Sequence, residues 1–236
     1  MTKQDLKPVA ELAKHDRRYP NEPAGYRAAR TALLEQEIEL RRHTERVAEQ
    51  RRAMPVGGKV PEDYQFAGVE GPVKLSELFA GKPTLITYNW MYGPERERPC
   101  PMCTSLLSAL DGEMPDILQR VAFAVFARSP IERMAAFAKE RGWRHLRLYS
   151  SGGNGFNEAY AFEKPGSGED NAAFNVFTRK GGAVHHFWGD EMGPESMDPG
   201  QDPRGAVNAM PIWSLLDITP EGRPPDWYPK LEYGNP

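Results

Sequence analysis

The chain has 236 residues, of which 39% are apolar and 10% aromatic, enough to bury a substantial core as one large domain or two small ones. Its formal net charge of -3 is close to neutral and gives no electrostatic basis for binding nucleic acid or an anionic membrane. The first twenty residues hold no apolar run resembling a signal peptide, and the longest apolar run, residues 121–127, is too short to span a bilayer, so a soluble, cytoplasmic protein is expected.

Residues 24–53, bounded by Pro23 and Pro55, are highly charged and lack Gly and Pro after Gly25, which predicts one long helix. Tyr26, Leu33, Leu40 and Val47 recur at intervals of seven, and Ala29, Leu34 and Ile38 widen the stripe. A helix cannot rely on propensity alone, so this stripe needs cover, from its own domain or from a second copy of the chain. Gln36 and His43 at the other seam positions weaken a coiled coil; a homodimer in which the helix takes part is nevertheless expected. Glu35, Glu37 and Glu39 in the middle and Arg51 and Arg52 at the end suit the helix dipole.

From Val60 the pattern alternates between strand and helix. Residues 64–69 read as a strand, Gly71-Pro72 as a turn and residues 73–75 as a return strand, after which Ser76 caps a short helix ending at Gly81. Residues 84–90 (TLITYNW) form a strand announced by Gly81-Lys82-Pro83, and residues 104–111 carry leucines at 106, 107 and 110 at helical spacing. The uninterrupted apolar run at 121–127 fits a strand buried on both faces. Ser129 and Pro130 are expected as N-cap and first residue of a helix over 131–141 that Gly142 ends. A strand at 146–149 follows, then a hairpin of 174–178 and 183–188 joined by Arg179-Lys180-Gly181-Gly182. Strands joined by helices imply an α/β domain with a central mixed sheet covered on both sides. Residues 189–205 read as a long surface loop or lid. Pro224, Pro225, Pro229 and Pro236 mark a tail lying across the domain or a partner.

The chemistry concentrates at the two cysteines of the chain, in Pro99-Cys100-Pro101-Met102-Cys103, where a strand hands over to a helix. There the first thiol lies beside the unpaired N–H groups of the helix N-terminus, which favour a thiolate, and the second comes one turn later on the same side. Pro101 suits the first turn because its missing donor costs nothing there. A structural zinc site needs about four ligands, yet no second cysteine pair exists, and adjacent His185 and His186 in a strand point to opposite faces. A structural disulfide closing so short a loop removes little chain entropy. Thiol redox chemistry, metal handling and an idle pair stay open, with redox favoured for a cytosolic chain.

Other polar groups read more weakly. Arg96, Arg98 and Arg128 could bring positive charge to Cys100, but Glu95 and Glu97 alternate with the first two, as in a solvated loop. The glycines of residues 150–160 (SSGGNGFNEAY) lack phosphate-loop spacing. His145 reads as structural, whereas His185 or His186 would reach the cysteines only if their strand were a neighbour.

Residues 63–90 (DYQFAGVEGPVKLSELFAGKPTLITYNW), followed by CPMC on a helix, resemble the opening of a thioredoxin-like domain of the peroxiredoxin and thiol-reductase branch. RTALLEQEIELRRHTERVAEQRRAMP, MYGPERERPCPMC, ARSPIERMAAFAKERGW, YSSGGNGFNEAY and LLDITPEGR resemble, in that order, blocks of domain-of-unknown-function family 899, spanning about Arg27 to Arg223. The resemblance implies a thioredoxin-like three-layer domain over residues 58–223, with a helical extension over 1–57 and a Pro-rich tail over 224–236. It also implies Cys100 as the nucleophile and Cys103 as the resolving thiol of a dithiol–disulfide oxidoreductase. Such a site needs no bound cofactor or metal; its partners are a disulfide or oxidised-thiol substrate and a separate dithiol electron donor. The chain departs from thioredoxin in the longer approach MYGPERERP, which leaves Trp90 too far upstream to match the tryptophan preceding the thioredoxin motif. It departs again in residues 169–173 (EDNAA), which carry no proline where thioredoxins place a cis-proline. The peroxiredoxin pattern PxxxTxxC is absent from both cysteines. The alternatives are a thiol-dependent peroxidase and a non-enzymatic copper(I) carrier using both thiolates with Met102 or a histidine.

Overall fold

The computed structural model describes residues 6–164, 166–191, 196, 209–220 and 226–233. The chain divides into two compact units, Met1–Pro55 and Val56–Pro236. The first contains α1 (Val9–Leu12) and the long α2 (Ala24–Ala53). Pro23 stands at the N-cap of α2, and Met54, forced extended by Pro55, ends it. The segment before α2 folds back along it. Arg42 Nη2 donates to the Lys7 carbonyl at 2.6 Å, and the Glu22 carboxylate accepts from the Tyr19 N–H and pairs with Arg27.

Cover for the apolar stripe is unequal. Ile38 is buried and shares a cleft with Leu12 and Leu34, whereas Tyr26, Leu33 and Leu40 are 48%, 52% and 66% exposed. Of the residues that widen the stripe, Leu34 and Ile38 therefore take the covered side while Ala29 is exposed; on the line at seven-residue spacing Tyr26, Leu33 and Leu40 face solvent and Val47 is half-buried.

The second unit is built on a seven-stranded sheet in the order β2-β1-β5-β4-β3-β6-β7. Its strands are β1 (Gln65–Gly68), β2 (Gly71–Lys74), β3 (Thr84–Asn89), β4 (Ala122–Ala127), β5 (Leu148–Ser150), β6 (Ala173–Lys180) and β7 (Ala183–Gly189). The parallel run β3-β4-β5 is joined by α3 (Pro101–Arg120) and α4 (Ile131–Arg141), while β6 pairs antiparallel with the free edge of β3. The hairpin to β7 turns on Gly181 and Gly182, both at positive φ, as a two-residue hairpin turn requires.

All six residues of β4 are buried because both faces of the sheet are covered. Strand periodicity sends Ile86, Tyr88 and Trp90 into a cluster with Leu106, Leu107 and Met134 from α3 and α4. Leu85 points the other way, into a cluster with Phe66, Phe126, Phe177 and with Phe156 of α5 (Phe156–Tyr160). An α/β architecture with a mixed central sheet covered on both faces, and the long N-terminal helix, are thus present as expected. No helix among the described residues is long and apolar enough to cross a membrane.

Several boundaries differ from the sequence reading. α3 does not stop at Asp111 but runs through Gly112 and Pro115 to Arg120. Its apolar face continues through Met114, Ile117 and Leu118 into the core, and this packing outweighs the single backbone bond that Pro115 cannot donate. Asp111 also has a tertiary role, accepting from the N–H groups of Arg144, His145 and Leu146. The segment after Ser76 is only a 3₁₀ turn, Glu77–Phe79, and the Ser76 hydroxyl donates to Asp63 at 2.7 Å instead of capping it. At α4 the N-cap is Pro130, not Ser129, whose hydroxyl donates to the Gly93 carbonyl.

Most of the expected surface loop at 189–205 lies outside the described residues, as do Pro224, Pro225 and Pro236. Near the end of the chain, Leu231 packs against the first cluster and its carbonyl accepts from Arg141 at 3.0 Å. A last helix, α6 (Pro211–Asp217), precedes this tail.

Candidate functional site

Cys100 is the N-cap of α3 and Pro101 its first residue. The Cys100 N–H donates to the Met91 carbonyl at 3.0 Å, which folds the nine residues after Trp90 into a closed loop ending at the cysteine. Cys103 follows in the first turn. Both are free thiols; Cys100 is half-buried and Cys103 buried. They are hydrogen-bonded to each other, and the two sulfurs hold their protons with opposite strength.

The Cys103 thiol donates to Cys100 and is the main cause lowering the Cys100 pKa to about 6. Burial opposes that shift, while the N–H groups of Cys103 and Met102 and the charge of Arg96 add to it. Cys103 is pushed well above the usual thiol range by the same hydrogen bond, by burial and by the charge on Cys100. The Tyr88 hydroxyl and the Met91 N–H, both hydrogen-bonded to Cys103, act in the opposite direction. The arrangement is a half-exposed thiolate over a buried thiol, the division of labour that a nucleophile and a resolving partner require.

The loop leading to Cys100, expected as solvated, is tied down instead. Asp170 is its anchor: one carboxylate oxygen accepts from the Gly93 N–H at 2.8 Å and from Arg96 Nε at 2.7 Å, and the other from Arg128 Nη2 at 2.8 Å. A side chain at Gly93 would put its Cβ 2.5 Å from that carboxylate, so only glycine fits. Arg133 donates to the carbonyls of Gly93, Pro94, Arg96 and Glu97, and its guanidinium lies 4.5 Å from the Tyr92 ring centroid. Arg98 pairs with Glu140 at 2.6 Å. Of the three arginines considered from the sequence, Arg96 contributes positive charge to Cys100, Arg98 braces the loop from outside, and Arg128 holds Asp170 and Glu163. Burial, first of all, raises the pKa of Glu163.

The histidines are engaged elsewhere. His186 bonds Asn175 at 2.9 Å and packs on Tyr160 and Phe177, across the sheet from the cysteines. His185 bonds the Gly57 carbonyl. His145 gives its N–H to Asp111, a structural use. The block at 150–160 builds the second cluster: Asn154 joins the Gln65 carbonyl to the Phe156 N–H, and Asn157 donates to Glu163. A cleft of about 490 Å³ in the N-terminal unit, lined partly by Arg27, Arg30 and Arg41, contains neither cysteine. Glu22 and Glu37 already pair with two of its arginines.

Sequence reasoning missed Tyr88 and Asp170. The strand alternation that puts Tyr88 on the same face as Trp90 was a usable signal for the first. Nothing local marks the second, which lies 77 positions from its Gly93 partner. Among the described residues there is no group of three or more His, Cys, Asp or Glu suited to holding a metal ion.

No curated protein matches the chain. Among solved structures it is similar to an uncharacterized conserved protein from Geobacillus kaustophilus at 14% identity, over 70% of this chain and 82% of that one, with a TM-score of 0.44. A peroxiredoxin-like protein from Aquifex aeolicus matches at 13% identity over 58% of this chain and 75% of its own, with a TM-score of 0.40. An exposed lipoprotein thioredoxin from Streptococcus pneumoniae matches at 14% identity over 53% and 87%, with a TM-score of 0.39. The family model described as bacterial protein of unknown function (DUF899) matches residues 17–233, and the chain belongs to that family.

Proposed function

We propose that the protein is a dithiol–disulfide oxidoreductase in which Cys100 is the nucleophile and Cys103 the resolving thiol. The observation that carries this reading is the hydrogen-bonded pair itself, a half-exposed sulfur with its pKa lowered to about 6 over a buried one pushed the other way. The Cys100 thiolate attacks one sulfur of a substrate disulfide, forming a mixed disulfide and expelling a thiolate. Cys103 then attacks Cys100, releases the second substrate thiol and closes the Cys100–Cys103 bond, so two electrons pass from the pair to the substrate. A separate dithiol restores the reduced form, and the cytoplasm, where a lone cysteine pair stays reduced, is the compartment that suits this cycle.

The test is redox cycling of the purified protein with glutathione disulfide and dithiothreitol, with cysteine states read by mass spectrometry. A reversible Cys100–Cys103 disulfide and first alkylation at Cys100 are the expected results. Labelling of Cys103 first, or failure of the pair to close, overturns the reading. Elemental analysis of reduced protein covers the copper(I) alternative, which one tightly held copper per chain would establish.

The partner that fits the exposed line of α2 is a second copy of the chain. Tyr26, Leu33 and Leu40 lie on one side at seven-residue spacing, each at least 48% exposed, a pattern that helix pairing would bury. Light scattering is expected to give a dimer at micromolar concentration, and the double variant Leu33→Glu/Leu40→Glu a folded monomer with unchanged thiol chemistry. A monomeric native protein rules this assembly out.

A further inference from the structure

This inference rests on the dithiol reading and concerns the second of its two steps. Tyr88 lies on β3 opposite Val125 of β4 and Phe174 of β6, and its side chain enters the cluster beneath α3. The ring packs on Phe174 at a centroid distance of 4.7 Å, and the residue is buried. A phenol hydroxyl buried among apolar groups needs a hydrogen-bond partner; Tyr88 and Cys103 share this buried cluster, and the Cys103 thiol is the polar group within reach of the Tyr88 hydroxyl. Met91 supplies a backbone N–H to the same sulfur. The resolving cysteine therefore sits under two donors while its own proton is directed at Cys100.

That geometry has its use after the first step. In the resting pair the Cys100 charge disfavours a second negative charge on Cys103. Once Cys100 is tied up in a mixed disulfide this charge is gone, but the cost of burying a thiolate remains. We propose that the Tyr88 hydroxyl donates to the Cys103 sulfur as it becomes a thiolate and so promotes resolution of the mixed disulfide.

In that step the Cys103 S–H bond breaks and its sulfur bonds to Cys100 Sγ. The bond between Cys100 and the substrate sulfur breaks, and the departing thiolate leaves with the electron pair and takes up the proton. Tyr88 keeps its own proton throughout: burial, and after it the neighbouring cysteines, hold its pKa well above the ordinary phenol value. It acts as a fixed donor and not as a base.

The experiment uses the full chain with dithiobis(nitrobenzoate), whose coloured thiolate is released once on attack by Cys100 and again on resolution by Cys103. Stopped-flow traces across a pH series separate the phases. Tyr88→Phe is expected to leave the first phase unchanged, to slow the second about tenfold or more, and to move its pH midpoint upward by about one unit. Fluorotyrosine placed at position 88 has a more acidic hydroxyl and is expected to speed the second phase, a measurement that stands even if the phenylalanine variant fails to fold. A second phase insensitive to the fluorotyrosine substitution overturns the proposal, as does equal slowing of both phases in the phenylalanine variant. A wild-type protein that releases only the first equivalent refutes the dithiol reading itself and is told apart by that count.

Discussion

Replacing Cys100 with serine is expected to lower disulfide reduction by at least about a thousandfold, because removing a nucleophile leaves only binding and orientation to accelerate the reaction. The companion result is a pH profile. Free cysteine titrates at ~8.5, whereas Cys100 is held at about 6 by the Cys103 hydrogen bond, the α3 N–H groups and Arg96. A lowered pKa means that the thiolate persists as pH falls and is lost only on passing through about 6. Alkylation of the wild-type protein by iodoacetamide should therefore be nearly flat from pH 9 to pH 7 and fall by about tenfold between pH 7 and pH 5. Cys103→Ala removes the hydrogen-bond donor that is the largest cause of the shift and should move that midpoint upward. A wild-type midpoint near the free-thiol value would mean that the hydrogen-bonded pair does not set the reactivity.

Phe156→Ala is expected to have the largest effect on stability. Its ring is fully buried and lies within 5.9 Å, centroid to centroid, of Tyr64, Phe66, Phe126, Tyr160 and Phe177. Truncating such a side chain costs about 3–5 kcal/mol, the lost transfer energy plus the cavity left behind. Chemical denaturation should show this as a lower midpoint with little change in slope. The thiol pair lies with the other core cluster, so the pH midpoint of Cys100 alkylation in the folded variant should remain at about 6. A loss below about 1 kcal/mol, of the kind seen at surface positions, would mean that residues 150–160 do not act mainly through packing.

What the sequence by itself determined is local in origin. The limits of α2 follow from Pro23, Pro55 and an uninterrupted charged run. The β6–β7 hairpin follows from Gly181-Gly182, and the start of α3 from Pro101 behind Cys100. In each case a proline that restricts its own backbone, or a glycine that frees it, acts locally, so the consequence can be read without knowing what lies nearby. The α/β class and the position of the cysteine pair at a strand-to-helix junction came from the same kind of signal. Tertiary structure decided the rest. α3 crosses Gly112 and Pro115 because its far turns have a core to pack on. The loop before Cys100 is fixed by Asp170, which reaches it only because β6 returns beside β3. His185 and His186 turn away to Gly57 and Asn175, and Tyr88 meets Cys103. These outcomes depend on strand register and on contacts between distant segments, whose energies belong to pairs of residues and are not written in either one alone.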